Sequence, residues 1–266
     1  MEGEAQTSLA VTDRMDPARA EALNAALGLD GPTPGPGDPL PPFFHQIYFW
    51  NVHPPQDLGP DGHPRPGGLI PEIGLPRRMW AGGRLTFHQP LRAGVLAEKT
   101  TQLAGYARKT GRTGQLALVT LRHTIRQKGA AVLTEEQDLI YRAAARPDEA
   151  LTDAPPAPAG EEVSAPIWFD STLLFRYSAL TMNGHRIHYD LDYARTEGYP
   201  GLVVHGPLLA QWLILMAGAR LGRLRSFRFR ATAPIFHFEE AALCASGNRF
   251  WIAGPDNRLC MDATAD

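Results

Sequence analysis

Cysteine is nearly absent from this chain. The two present, Cys244 and Cys260, lie in apolar, strand-like stretches and do not form a close-spaced pair. That excludes a disulfide-stapled scaffold and a cysteine-based metal ribbon, and it points to reduced core residues in a reducing compartment. An excess of charge of one sign is also absent: the formal net charge is -2, so no global field draws the chain to nucleic acid or to a membrane surface. No stretch approaches the ~18 apolar residues of a membrane span. The longest apolar segment, around 208–218, is too short and contains Gln211. The opening MEGEAQTSLAVTD lacks the basic start and apolar run of a signal peptide, so a cytoplasmic protein is the expectation. No internal repeat is visible at the sequence level.

What is present is enough chain, 266 residues at 44% hydrophobic, for one large domain or two small ones with a real core. Residues 13–29 read as a helix, with Asp16 as cap and Pro17 in the first turn. The proline- and glycine-rich connector after it leads to a dense aromatic run, 43–50 (FFHQIYFW), a short buried helix or a strand. Residues 51–79 are rich in Pro and Gly and predict a long irregular loop, of the length that often covers a site. Four strand signals follow, at 84–90, 95–108, 115–127 and 133–143, separated by glycine-containing or charged turns. Residues 147–166, Pro-, Ala- and acid-rich, predict a linker.

The pattern then restarts. Residues 168–177 predict a strand running into a helix, a helical stretch carries His188, and 207–221 form a helix apolar on nearly all sides, hence buried. Strands at 227–236, 239–246, 249–253 and 259–263 close the chain. The expected class is α+β, with a buried helix beside antiparallel strands in the second half and a degenerate version, built on the aromatic run, in the first.

Polar residues are out of place in one segment, FRYSALTMNGHRIHYDLDYARTEGYPGLVVHGPLLA (175–210). Asn183, His185, Arg186, His188, Tyr189 and Asp190 crowd between apolar stretches, and His205-Gly206-Pro207 stands at the mouth of the buried helix. Pro207 suits a first helical turn, Gly206 allows close approach of a ligand, and the exposed amides there favour developing negative charge. Water addition next to a thioester carbonyl needs such a place for the enolate oxygen, and a histidine to move the proton.

Leu180-Thr181-Met182-Asn183-Gly184-His185-Arg186-Ile187-His188, followed by His205-Gly206, resembles the signature of the MaoC-like, (R)-specific enoyl-CoA hydratase family. That signature reads Ser-Gly-Asp, any residue, Asn-Pro, an aliphatic residue and His, with His-Gly at the next helix start. The match is closest to a double hot-dog branch similar to mesaconyl-CoA and itaconyl-CoA hydratases and to FAS1-like dehydratase relatives. The resemblance implies an α+β double hot-dog, two long helices each wrapped by a curved antiparallel sheet. A degenerate domain would span 1–150 and a motif-bearing domain 160–266. It further implies a hydro-lyase on an acyl-CoA, branched or dicarboxylic, as a homo-oligomer (dimer) or a double hot-dog monomer; no cofactor and no metal are expected. Carried over residue by residue, His188 is the acid and base, Asn183 orients the water and the Gly206 amide binds the thioester oxygen. Substrate contacts fall to His185, Arg186, Asp190, His205 and, for a second carboxylate, Arg84. The chain departs from the main family in having Asn183 where a catalytic Asp stands, and an amide cannot act as a base.

Blander readings stand beside these. His188 can be a core histidine, and Asp190 a cap or ion-pair partner. His205 can serve only to bond the backbone. His185 and His188 form an H-x-x-H pair without a third metal ligand at sensible spacing. The run Arg220, Arg223, Arg225, Arg228 and Arg230 can meet coenzyme A phosphates or be a solvated edge, with Phe227 and Phe229 turned inward. A hot-dog thioesterase and a non-catalytic acyl-thioester binding protein are the competing functions.

Overall fold

A computed structural model describes residues 8–65, 67–111, 114–144 and 154–266. Its centre is one ten-stranded antiparallel sheet in the order β1-β3-β4-β5-β2-β7-β10-β9-β8-β6. The first half of the chain supplies one side: β1 (Leu9–Asp13), β2 (Arg77–Phe87), β3 (Ala97–Gly111), β4 (Gly114–Gln127) and β5 (Ala130–Arg142). The second half supplies the other: β6 (Val163–Ile167), β7 (Ser226–Ala231), β8 (Ala241–Ser246), β9 (Arg249–Ala253) and β10 (Leu259–Ala265).

The two sets meet where β2 pairs with β7, Gly82 opposite Arg230 and Gly83 opposite Phe229. A Cβ on Gly82 would lie 2.5 Å from the Phe229 carbonyl oxygen, and one on Gly83 would lie 2.8 Å from the Phe229 ring. The glycine pair therefore serves close strand approach, not a turn, and β2 begins at Arg77, inside the stretch expected as loop.

Helix α1 (Pro17–Leu27) is capped by the Asp16 carboxylate, which accepts from Ala18 N at 3.0 Å, and ends at Gly28 in the left-handed region. The aromatic run becomes a 3-10 turn, Phe44–Ile47, with Phe44 and Ile47 in the core and His45 Nε2 2.9 Å from buried Glu135. The second half carries α2 (Ser171–Thr181), capped by Asp170, the short α3 (Leu191–Thr196), capped by Asp190, and α4 (Gly206–Leu221). Leu208, Leu209, Leu213 and Ile214 of α4 are buried. The helix packs on β2 and β7 as well as on β9 and β10, so it spans the seam between the halves.

Several boundaries differ from expectation for local reasons. Of the proline-rich stretch 147–166, residues 147–153 lie outside the described residues. The remainder is tied down: Pro156 bridges to Arg258, and Val163–Ile167 is an edge strand, where Pro166 has no ladder bond to lose. The expected strand at 168–177 lies earlier, since Asp170 already caps α2. β1 pairs with β3 although its sequence is short and mixed. β7 stops at Ala231, ahead of Pro234. Cys244 and Cys260 are free and buried, and burial pushes both thiols up.

Candidate active site

His188 lies on the single 3-10 turn Arg186–His188, not on a regular helix. Its ring is buried, and its Nδ1 lies 2.7 Å from the Val203 carbonyl oxygen. A carbonyl only accepts, so Nδ1 carries the hydrogen, and in the neutral ring Nε2 is the lone-pair atom. Burial, with His205 and His185 nearby, holds the ring well below the ordinary histidine range, so it is neutral at pH 7. Its face stacks on His205, ring centroids 3.6 Å apart. His205 is fully buried and bonded through Nε2 to Ser178 Oγ at 2.8 Å, and burial pushes it down to about 3. His205 thus backs His188 from behind the cavity wall.

The cavity in front of His188 has a volume of ≈ 610 Å³. His188, Asn183, His185 and Gly206 all line it, so four residues singled out from the sequence do meet in one place. Asn183 Oδ1 accepts from the His185 backbone N–H at 3.1 Å, leaving its Nδ2 hydrogens for other partners. Gly206 opens α4, whose first amides have no acceptor within the helix. A Cβ there would meet nothing closer than the Trp80 carbonyl oxygen at 3.6 Å.

The structure places other expected residues elsewhere. Arg186 donates to Asp190 Oδ2 at 2.6 Å and to the Pro60 carbonyl and lies over the Tyr193 ring, while Asp190 caps α3; neither is in the cavity wall. Arg84 is held by Asp138 and Glu136, at 2.6 and 2.8 Å, and these carboxylates raise its pKa. A substrate carboxylate would have to compete with both. In the basic run only Arg230 reaches the cavity wall; Phe227 and Phe229 turn inward from β7 as alternation predicts.

Residues that the sequence pattern did not single out complete the site. Arg77 and Arg78 enter the wall from β2, Arg142 from β5 and Glu197 from the end of α3. The irregular loop contributes His63. Its Nδ1 lies 3.2 Å from Asp61 Oδ2, its backbone N–H donates to Asp61 Oδ1 at 3.1 Å, and its ring lies 4.4 Å from that of His185. No spacing rule links position 63 to position 185; the length and composition of the loop were the only signal.

Two glycines lock that loop onto the motif. Gly62 has φ +85°, and a Cβ on it would lie 2.0 Å from the Gly184 carbonyl oxygen; one on Gly184 would lie 2.6 Å from the Gly62 oxygen. The Arg186 N–H also donates to the Asp61 carbonyl at 2.9 Å. Asp61, His63 and His185 offer ligand-type atoms within 4.8 Å of one another, the grouping that the H-x-x-H pair alone did not provide. The direct Asp61–His63 bond holds two of the three together, and the ring contact places His185 beside them.

Residues 43–237 match the family Htd2, hydroxyacyl-thioester dehydratase type 2. The mesaconyl-C(4)-CoA hydratase of Chloroflexus aurantiacus is 42% identical over 255 residues, covering 93% of this chain and 91% of that protein. The mitochondrial hydroxyacyl-thioester dehydratase type 2 of Schizosaccharomyces pombe is 27% identical, covering 80% of each. Among solved structures, HtdX of Mycobacterium tuberculosis superposes with a TM-score of 0.69 at 18% identity, over 97% of this chain and 98% of that one. A second M. tuberculosis protein, described as a double hot-dog fold, gives 0.63 at 15%, over 98% and 95%. The ten-stranded sheet with α4 across its seam is thus a double hot-dog, and the chain belongs to the hydroxyacyl-thioester dehydratase type 2 family of MaoC-like hydratases.

Proposed function

We propose that this chain, a hydro-lyase of its family, adds water across the α,β double bond of a branched or dicarboxylic enoyl-CoA such as mesaconyl- or itaconyl-CoA, or removes it. His188 is the acid–base group. In the hydration direction its Nε2 takes a proton from water as the oxygen bonds to the β-carbon. The π electrons move into the thioester, and the enolate oxygen is met by the Gly206 amide at the α4 N-terminus. The His188 imidazolium then gives its proton to the α-carbon. The reading is carried by one observation: the Val203 carbonyl fixes the tautomer of a neutral histidine in the wall of a cavity that a helix N-terminus also enters.

The choice of acyl group is supported by the 42% identical hydratase and by the cationic wall. Arg78 and Arg230 line the cavity, and neither has a carboxylate within ion-pair distance among the described residues. They suit a distal carboxylate or the coenzyme A phosphates. Two similar halves in one chain, 1–150 degenerate and 160–266 bearing the motif, form the functional unit as a double hot-dog monomer or its dimer. No helix among the described residues is long and apolar enough to cross a membrane, and we place the enzyme in the cytoplasm.

The test is absorbance of the enoyl-thioester band with crotonyl-CoA and mesaconyl-CoA. Loss of the band without free thiol is expected; release of thiol would show hydrolysis and overturn the reading. His188→Gln should keep the fold and lose on the order of 100-fold or more in kcat, the usual scale of acid–base catalysis. Near-normal turnover in that variant would remove His188 from the mechanism.

A further inference from the structure

An attacking water presents two O–H groups and two lone pairs. In the reaction above, His188 Nε2 takes one hydrogen and one lone pair forms the bond to the β-carbon. The other lone pair can accept from Asn183 Nδ2. The second O–H still needs an acceptor, and one of the two lone pairs of Asn183 Oδ1 is already taken by the His185 amide at 3.1 Å. In the commoner signature a carboxylate at this position would supply it.

We propose that Nε2 of His63 accepts this second O–H, so that the Asp61–His63 pair stands in for the carboxylate that position 183 lacks. The inference rests on the hydratase reading. Asp61 grips His63 twice, at the backbone N–H and at Nδ1, which orients the ring and leaves Nε2 as its accepting atom. His63 is neutral at pH 7. Burial pushes it down to about 4, Asp61 opposes that shift, and Arg78 and His185, facing it from β2 and from the motif, add to it.

Position supports the same role. A smaller cavity of ≈ 270 Å³ adjoins the main one, and the two residues common to both walls are His63 and Asn183. In the proposal the water sits between them, with the smaller cavity as its route of entry. The smaller cavity is also lined by His53, whose buried Nε2 has no hydrogen-bond partner among the described residues. The Gly62–Gly184 contact fixes how close the loop stands to the motif. During turnover His63 gains no proton: the hydrogen it holds stays on the product hydroxyl, and the other passes through His188 to the α-carbon.

Three variants of the full chain test this with the enoyl-CoA assay. His63→Leu should lower kcat by about 100-fold or more, the scale for a lost transition-state hydrogen bond, with KM within roughly threefold. His63→Gln restores an acceptor and should recover about tenfold or more of that loss. Asp61→Asn should lower kcat by about tenfold through misorientation of the ring. If His63→Leu fails to fold, Asp61→Asn carries the test, and a kcat within about threefold of wild type then overturns the proposal. The proposal is overturned if His63→Leu stays within about threefold of wild type, or if folded His63→Gln is as slow as His63→Leu. Stoichiometric metal in the purified protein, with activity lost to a chelator, would overturn it as well, since the ring would then be a ligand. An active wild type with an inactive His188→Gln sustains the hydratase reading whatever His63 does, and a wild type without hydration activity sinks that reading independently.

Discussion

At the scale of single residues, the informative position is Asn183. The two ends of its amide are used differently. Oδ1 holds the His185 backbone at 3.1 Å, and in the proposed reaction Nδ2 is left for the water. Asn183→Asp keeps the first function and removes the second, and it adds a negative charge next to buried histidines. We expect kcat/KM to fall by on the order of 10²–10³, the cost of one preorganised donor, with the fold retained. Activity equal to or above wild type would show that the signature's acid–base pair had been restored and that the donor is dispensable. The motif residues were legible in the sequence because polar groups crowd a segment flanked by apolar ones, an arrangement that a soluble fold keeps only when they have partners or a ligand. Arg84 was misleading for the opposite reason. Its partners, Glu136 and Asp138, lie some fifty positions away on β5, and only strand register brings them together.

At the scale of elements, the segment 51–76 connects the two halves of the site. Its proline and glycine content marked it as a loop. Which of its residues mattered was hidden, since its docking depends on a backbone-to-backbone contact that leaves no side-chain pattern. Gly62→Ala is the direct probe. The added Cβ would lie 2.0 Å from the Gly184 carbonyl oxygen, and φ of +85° disfavours any L side chain. The loop should lift, carrying Asp61 and His63 away from His185. We expect a drop in kcat of at least about tenfold, with a stability loss of roughly 1–3 kcal/mol, read from initial rates and from urea midpoints. Unchanged rates would mean that this loop is only a cover. The long strands of the first half and helix α4 were readable from alternation and from the His-Gly-Pro start, whereas β1 and β6 were not. Both are five-residue edge strands paired on one side only, and β6 contains a proline.

At the scale of the whole molecule, the site makes the enzyme acid-sensitive. Burial is the first cause that pushes the pKa of His205 down to about 3, that of His63 down to about 4 and that of His188 well below the ordinary range. The unfolded chain binds protons at these histidines near pH 6.5 and the folded chain does not. Their contribution to stability is therefore complete above about pH 6.5 and is lost as pH falls from there towards the folded values. Buried Glu135, kept ionised by His45, pushes in the same direction at lower pH. The urea midpoint should be lower at pH 5 than at pH 7, and Ser178→Ala, which removes the hydroxyl partner of His205, should lower both. An equal midpoint at the two pH values would mean that the histidines are solvated.

The seam between β2 and β7 has a further consequence, for synthesis of the chain. Strands β1 to β5 can pair among themselves once Arg142 has been made, but β2 then ends their sheet with a free row of N–H and C=O groups. The strand that covers it, β7, begins only at Ser226. Gly82 and Gly83, which the finished seam requires to be bare, put no side chain in the way of a wrong partner. A nascent or refolding chain therefore carries a sticky edge until about its last sixth arrives, and pairings across so long a separation in sequence form slowly. The feature that lets two halves share one cavity is also where this protein is most exposed to aggregation while it folds.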